Sequence, residues 1–184
     1  MTNTNHNTNH NSNTNPTPSY APLGTVSHDT MRACDLISTF ISELAYFDKV
    51  TATKYDKEVA SHLWYDSDLG GDDLTPYDSD SHPFWQSESA SDLLSELFDA
   101  LNTYAPPFAY FGAHEGDGCD YGFWIAWESL DDATYDGELL KVSDLSEVTT
   151  DIIESGQYSF YLVINDHGNC SLYDSQLNEV WSVV

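Results

Sequence analysis

The spacing of apolar residues is helical in the first half of the chain. From about residue 28 to 47, apolar side chains recur every three or four positions, which predicts a helix with one buried face. Ser27 or Asp29 is suitably placed to cap its start. A shorter helical stretch follows over about 53–64 and contains most of the basic residues. These patterns predict two helices before residue 65.

A third helix is predicted after a long polar segment. It begins near Ser89, whose spacing to Asp92 resembles a capping box, and the two prolines at 106–107 end it. Leucine and phenylalanine recur on one side and supply a buried face. These apolar residues are Leu93, Leu94, Leu97, Phe98 and Leu101.

Beyond the prolines, the pattern becomes that of extended chain. Aromatic and β-branched residues gather in short runs separated by Gly, Asp and Asn, which is typical of antiparallel strands joined by turns. A polar turn or helix through Glu154 separates the early strands from a terminal meander. The predicted strands are 108–113, 121–127, 139–142, 158–165, 170–173 and 179–183. The predicted class is α+β, with N-terminal helices packed on a C-terminal antiparallel sheet (meander).

Composition divides the chain into a leader and one domain. Residues 1–26 are mostly Asn, Thr, Ser, His and Pro, so we expect them to be disordered. The remainder, 27–184, is expected to be a single acidic domain, mainly helical over 27–105 and mainly extended over 106–184. Nothing resembles a secretory signal or a membrane span, which predicts a cytoplasmic protein.

Three cysteines are widely spaced and form no CxxC pair. Their odd number and separation predict reduced thiols and no zinc motif. They are Cys34, Cys119 and Cys170.

Charge changes the picture most. The net charge is -26, and between Lys57 and Lys141 the chain carries 19 Asp and Glu but no Lys or Arg. A duplex has one negative charge per ~1.7 Å of axis, so this charge equals that of roughly 44 Å, or about 13 base pairs, of DNA. With only five Lys and Arg in all, binding to nucleic acid or to an anionic membrane is not expected.

The carboxylates predicted to contact a partner fall in two groups. One group lies in the Asp-rich segment between the second and third helices, and the other recurs at steps of four, four and three along the third helix, which places it on one side. The first group is Asp66, Asp68, Asp72, Asp73, Asp78 and Asp80. The second group is Glu88, Asp92, Glu96 and Asp99.

Two metal hypotheses compete with ordinary turn chemistry. Counting an EF-hand loop from Asp66 puts Gly71 at the sixth position but Tyr77 where the bidentate Glu belongs, so no calcium site is predicted. A small metal-dependent hydrolase would need two loops to meet. Its residues would be His114, Asp117, Asp120 and His167. Their spacing matches no zinc or hydrolase signature, so no catalytic residue, metal or cofactor is predicted.

Aromatic residues concentrate in the two strands after the third helix. They could form a platform on which a ligand stacks, but in strands such residues more often fill a core and pair across strands. We therefore expect core packing for Tyr110, Phe111, Tyr121, Phe123, Trp124 and Trp127.

Three motifs carry a resemblance. YFGAHEGDGCDYGFW at 110–124, INDHGNCSLY at 164–173 and EVWSVV at 179–184 are similar to small uncharacterised proteins of bacteriophages and mobile elements. This resemblance implies no particular chemistry. In acidity and size, the whole chain resembles DNA-mimic antirestriction and anti-CRISPR proteins.

These observations lead to one hypothesis and two alternatives. The chain is expected to be an anti-defence inhibitor, not an enzyme, which mimics nucleic acid and binds the basic channel of a nuclease or CRISPR effector in the host cytoplasm. A homodimer is compatible with this role. The alternatives are an acidic protein adapted to high salt, with no mimicry, and the small metal-dependent hydrolase.

Overall fold

The computed structural model describes residues 20–64 and 80–184. Within these ranges, the chain forms five α-helices, together with short 3-10 turns at Pro83–Gln86 and Leu145–Glu147. The helices are α1 (Ala33–Phe47), α2 (Lys49–Trp64), α3 (Glu88–Asn102), α4 (Trp127–Tyr135) and α5 (Thr150–Ser155). The predicted α+β class is confirmed.

The described strands form two sheets. In the first sheet the order is β1-β3-β2, and both pairings are antiparallel. Its strands are β1 (Gly24–Ser27), β2 (Ala109–His114) and β3 (Asp117–Ile125). In the second sheet the order follows the sequence. Its strands are β4 (Leu139–Val142), β5 (Phe160–Ile164), β6 (Cys170–Asp174) and β7 (Glu179–Val183).

The predicted terminal meander is confirmed in the second sheet. Strands β5, β6 and β7 pair antiparallel in sequence order, close to their predicted bounds. Strand β4 adds to the sheet in the parallel direction, which the pattern did not indicate. The connection from β4 to β5 includes α5 and is long enough for the crossover that a parallel pair requires.

One core lies between the first sheet and helices α1 and α3. Phe40 of α1 is fully buried and meets Phe98, Phe111 and Tyr121 edge-on, at ring distances of 5.2, 5.0 and 5.9 Å. The predicted apolar face of α3 faces this core. Its most buried members are Leu93, Leu97 and Leu101.

A second core lies against the second sheet, where α4 supplies Leu130 and Ala133. This helix was missed, and the predicted strand 121–127 runs past the true end of β3 at Ile125. Helix α4 has nine residues, of which only Leu130 and Ala133 are buried, so a helical repeat of apolar positions could not be recognised in its sequence.

The two cores are joined by contacts around the prolines. Trp181 of β7 donates its indole N–H to the carbonyl of Pro107 at 2.8 Å, and Phe108 meets Phe160 edge-on at 5.1 Å. The amide of Ala126 also donates to the Phe108 carbonyl at 2.8 Å. The first sheet with its helices and the second sheet with α4 are therefore connected through this short segment.

The start of the folded region differs from the prediction. Three of the four residues of strand β1, 24–26, lie in the segment assigned to the leader, and Ala21 is buried with its amide donating to the carbonyl of Tyr104 at 2.8 Å. Ser27 belongs to β1 and Asp29 has a positive φ of 63°, so neither residue caps α1, which begins at Ala33. The rest of the predicted leader, 1–19, lies outside the described residues.

The cap of α3 also differs by two positions. Ser87, and not Ser89, accepts a hydrogen bond from the amide of Ala90, at 3.2 Å. Only Ser89 has a polar residue, Asp92, three positions later, whereas Ser87 has Ala90 there, so the capping-box pattern favoured the wrong serine.

Gly122 allows β1 to approach β3. A Cβ atom at this position would lie 2.1 Å from the carbonyl oxygen of Gly24, which is far inside contact distance. The obstacle is backbone and cannot turn away as a side chain would. By contrast, a Cβ at Gly118 of the same strand would meet nothing within 4 Å.

We therefore expect Gly122→Ala to displace β1 and to lower the free energy of unfolding by about 1–3 kcal/mol. Gly118→Ala is the matched control and should stay within ~0.5 kcal/mol of the parent. Urea denaturation of the three proteins measures both values. Equal stabilities for the two variants would show that β1 does not lie against Gly122.

Candidate functional site

Helix α3 presents a row of carboxylates to solvent. Its apolar side faces the core, so the polar side is turned outward and all four predicted residues are exposed. They span about 16 Å along the helix axis at 1.5 Å per residue. Among the described residues, none of the four pairs with Lys, Arg or His. The residues are Glu88, Asp92, Glu96 and Asp99.

The α3 carboxylates also act on a buried tyrosine of α2. Tyr55 of that helix is buried, and its pKa is raised first by burial and then by the nearby carboxylate of Glu96. Glu58 and Asp99 raise the pKa further. Carboxylates of both helices therefore lie close to this phenol, and Lys54 of α2 lies over the same ring, with its Nζ 5.3 Å from the ring centroid.

Five of the six carboxylates predicted in the Asp-rich segment lie outside the described residues. They are Asp66, Asp68, Asp72, Asp73 and Asp78. Asp80 is described and exposed, and it forms a salt bridge of 2.9 Å with Arg32. Its charge is therefore partly neutralised within the chain, unlike that of the α3 carboxylates.

Arg32 is held in turn by Asp35. The guanidinium donates from Nε and Nη2 to the two carboxylate oxygens of Asp35, each at 2.8 Å, and Thr30 donates at 2.6 Å. These hydrogen bonds, led by that of Arg32, lower the pKa of Asp35 from its usual 3.8 to about 2. Through these contacts, Thr30 and Arg32, which precede α1, are tied to Asp35 in its first turn, and Arg32 is also tied to Asp80.

Asp35→Asn should lower the free energy of unfolding by about 1 kcal/mol or less at pH 6, because the pair is partly exposed. The folded-state pKa is the lower one, so the loss is complete above pH 3.8 and disappears as pH falls to about 2. Denaturation at several pH values measures it. Asp132→Asn removes the same charge elsewhere, and an equal loss there would contradict this role.

A second acidic helix was missed from sequence. Helix α4 exposes four carboxylates between its first turn and its C-cap, the same number as α3. Their irregular spacing and the misassigned strand concealed them. They are Glu128, Asp131, Asp132 and Asp136.

Two residues of the hydrolase hypothesis, His114 and Asp117, form hydrogen bonds within the turn between β2 and β3. His114 Nδ1 accepts from the amide of Gly116 at 3.1 Å, and Asp117 accepts from the amide of Cys119 at 3.0 Å. These bonds stabilise the reversal between β2 and β3, as the turn interpretation expects.

The other two residues of that hypothesis, Asp120 and His167, lie in different parts of the fold. Asp120 accepts from the Thr25 hydroxyl at 3.3 Å, across the pairing of β1 with β3, and His167 is exposed in the turn between β5 and β6. Over residues 20–64 and 80–184, no three His, Cys, Asp or Glu side chains are grouped to hold a metal ion. The structure therefore supplies no support for a metal-dependent hydrolase.

The aromatic residues divide by strand alternation. Phe111, Tyr121 and Phe123 are buried in the first core, as expected. Tyr110 and Trp124 lie on the opposite face of the sheet and, together with Trp127, line a cavity of about 540 Å³. The expectation of core packing is therefore right for three of the six residues.

Comparison with known proteins adds no assignment. Neither protein-family models, nor characterised proteins, nor solved structures gave a match to this chain. In the described ranges, no helix has the length and apolar character needed to cross a bilayer. The acidic surface is consequently the main guide to function.

Proposed function

We propose that this protein is an anti-defence inhibitor that mimics nucleic acid. In this proposal, the carboxylate row on α3 takes the place of phosphates and binds the basic channel of a host nuclease, such as a restriction enzyme or a CRISPR effector. The observation that supports it most directly is that all four carboxylates are exposed and unpaired with any described cation. The site of action would be the host cytoplasm.

The geometry of α3 suits this role. Residues four apart on a helix rise by about 6 Å, so the four carboxylates form a regular line of negative charge that basic side chains of a channel can contact. The buried leucines hold the helix in place, so the charges need no ordering when a partner binds. Such preorganised charge favours rapid association that weakens with salt.

The carboxylate row also destabilises α3 through repulsion between like charges. Glu88 with Asp92, and Asp92 with Glu96, are like-charge pairs four residues apart, each destabilising an isolated helix by roughly 0.2–0.5 kcal/mol. Surface helices usually reduce this repulsion with interspersed Lys or Arg. Because α3 keeps this repulsion, we infer that its charges serve to bind a cationic partner and not only to keep the protein in solution.

A neutral variant of α3 tests the proposal directly. Glu88→Gln, Asp92→Asn, Glu96→Gln and Asp99→Asn, combined, should abolish capture of a nucleic-acid-binding protein from host lysate at low salt. The change keeps the side-chain shape nearly constant while removing four charges. Mass spectrometry of the material retained by parent and variant measures the loss.

Helix α4 provides the matched control. Glu128→Gln, Asp131→Asn, Asp132→Asn and Asp136→Asn remove the same number of charges from another exposed helix and should leave capture largely intact. Equal loss in both variants would mean that overall charge alone attracts basic proteins. If neither variant changes capture, α3 is not the contact surface. Unfolding only in low salt would instead favour the salt-adapted alternative.

A further inference from the structure

A cavity of about 540 Å³ lies on the face of the first sheet opposite the helices. Tyr110 and Trp124 form part of its wall from neighbouring strands, Trp127 comes from the start of α4, and Val183 comes from β7. Its volume falls in the range of small-molecule sites. The cavity is separate from the α3 surface, so a ligand there is independent of the proposed nucleic-acid mimicry.

The aromatic rings are held by the backbone beneath them. Tyr110 and Trp124 are paired across β2 and β3. The Trp124 indole N–H donates to the Gly112 carbonyl at 3.0 Å, and the Tyr110 hydroxyl donates to the Ala113 carbonyl at 3.1 Å. His114 also packs edge-on against Trp124 at 4.7 Å. With their polar atoms occupied, these rings have mainly their π-faces to offer a ligand.

The charge of the lining is negative. Among the described residues that line the cavity, Glu115 is the carboxylate and there is no Lys or Arg. The pKa of Tyr110 is raised first by burial and also by the Glu115 carboxylate, which places that charge in reach of the cavity wall. Aromatic faces beside a carboxylate favour a cation, because the ring quadrupole and the carboxylate attract the same sign of charge.

We infer that this cavity binds a small organic cation of the alkylammonium class. A quaternary ammonium group suits it best, because its methyl groups contact π-faces and need no hydrogen-bond acceptors. Trp127 is 46% exposed, so it can contact a ligand at the cavity mouth without being part of the core. A metal ion would find too few ligands here, since among the described lining only His114 and Glu115 are of the residue types that commonly hold one.

Choline and its neutral isostere, 3,3-dimethylbutan-1-ol, test the inference. Both are titrated with the full chain at constant ionic strength, and ligand-observed NMR follows their methyl protons. Choline should bind saturably with an upfield ring-current shift, and the isostere should bind about tenfold or more weakly. Equal binding of the two, or choline broadening that never saturates and shows no upfield shift, would overturn the inference.

Variants separate the cavity from the general field of an acidic protein. Trp127→Ala and Glu115→Gln should each weaken choline binding by about tenfold. Glu128→Gln removes the same charge from an exposed position outside the lining and should leave binding unchanged. If Glu128→Gln weakens binding as much as Glu115→Gln, the cation is held by net charge and no site exists. Arginine amide binding tighter than choline would overturn the alkylammonium assignment in favour of a guanidinium.

Discussion

The contact of α1 and α3 with the first sheet is the interaction on which the rest of the structure depends. Phe40 lies at its centre and meets aromatic rings from both α3 and the sheet. Truncating such a side chain typically costs about 3–5 kcal/mol, which is comparable with the whole stability of many domains. The same contact turns the carboxylates of α3 outward, so the core and the candidate binding surface are two sides of one helix.

A chain with a net charge of -26 needs a core of this kind to stay folded. Its described cations do little to offset the repulsion, and Arg32 is already shared between Asp35 and Asp80. Stability therefore comes from apolar packing and from hydrogen bonds between the two cores, such as that from Trp181 to the carbonyl of Pro107. The surface is left free to be mainly negative, apart from the three exposed lysines that lie together on α2, and a negative surface is what a phosphate mimic requires.

Local patterns predicted the elements that have strong local periods. Helix α3, its acidic face and the hairpins of β5, β6 and β7 could be recognised because their side chains alternate or recur within the element itself. Strand β1 could not, since its partner in β3 lies far along the chain and its close approach depends on a missing side chain at Gly122. The aromatic cavity was equally hidden, because it joins residues from β2, β3, α4 and β7.

We propose that the protein occupies the place of nucleic acid on its partner. The most direct measurement is a competition in which the partner recovered from lysate, bound to labelled duplex DNA, is titrated with this protein at constant salt. We expect the protein to displace the duplex completely and excess duplex to reverse the displacement. A stable ternary complex, with DNA and protein bound together, would contradict the claim.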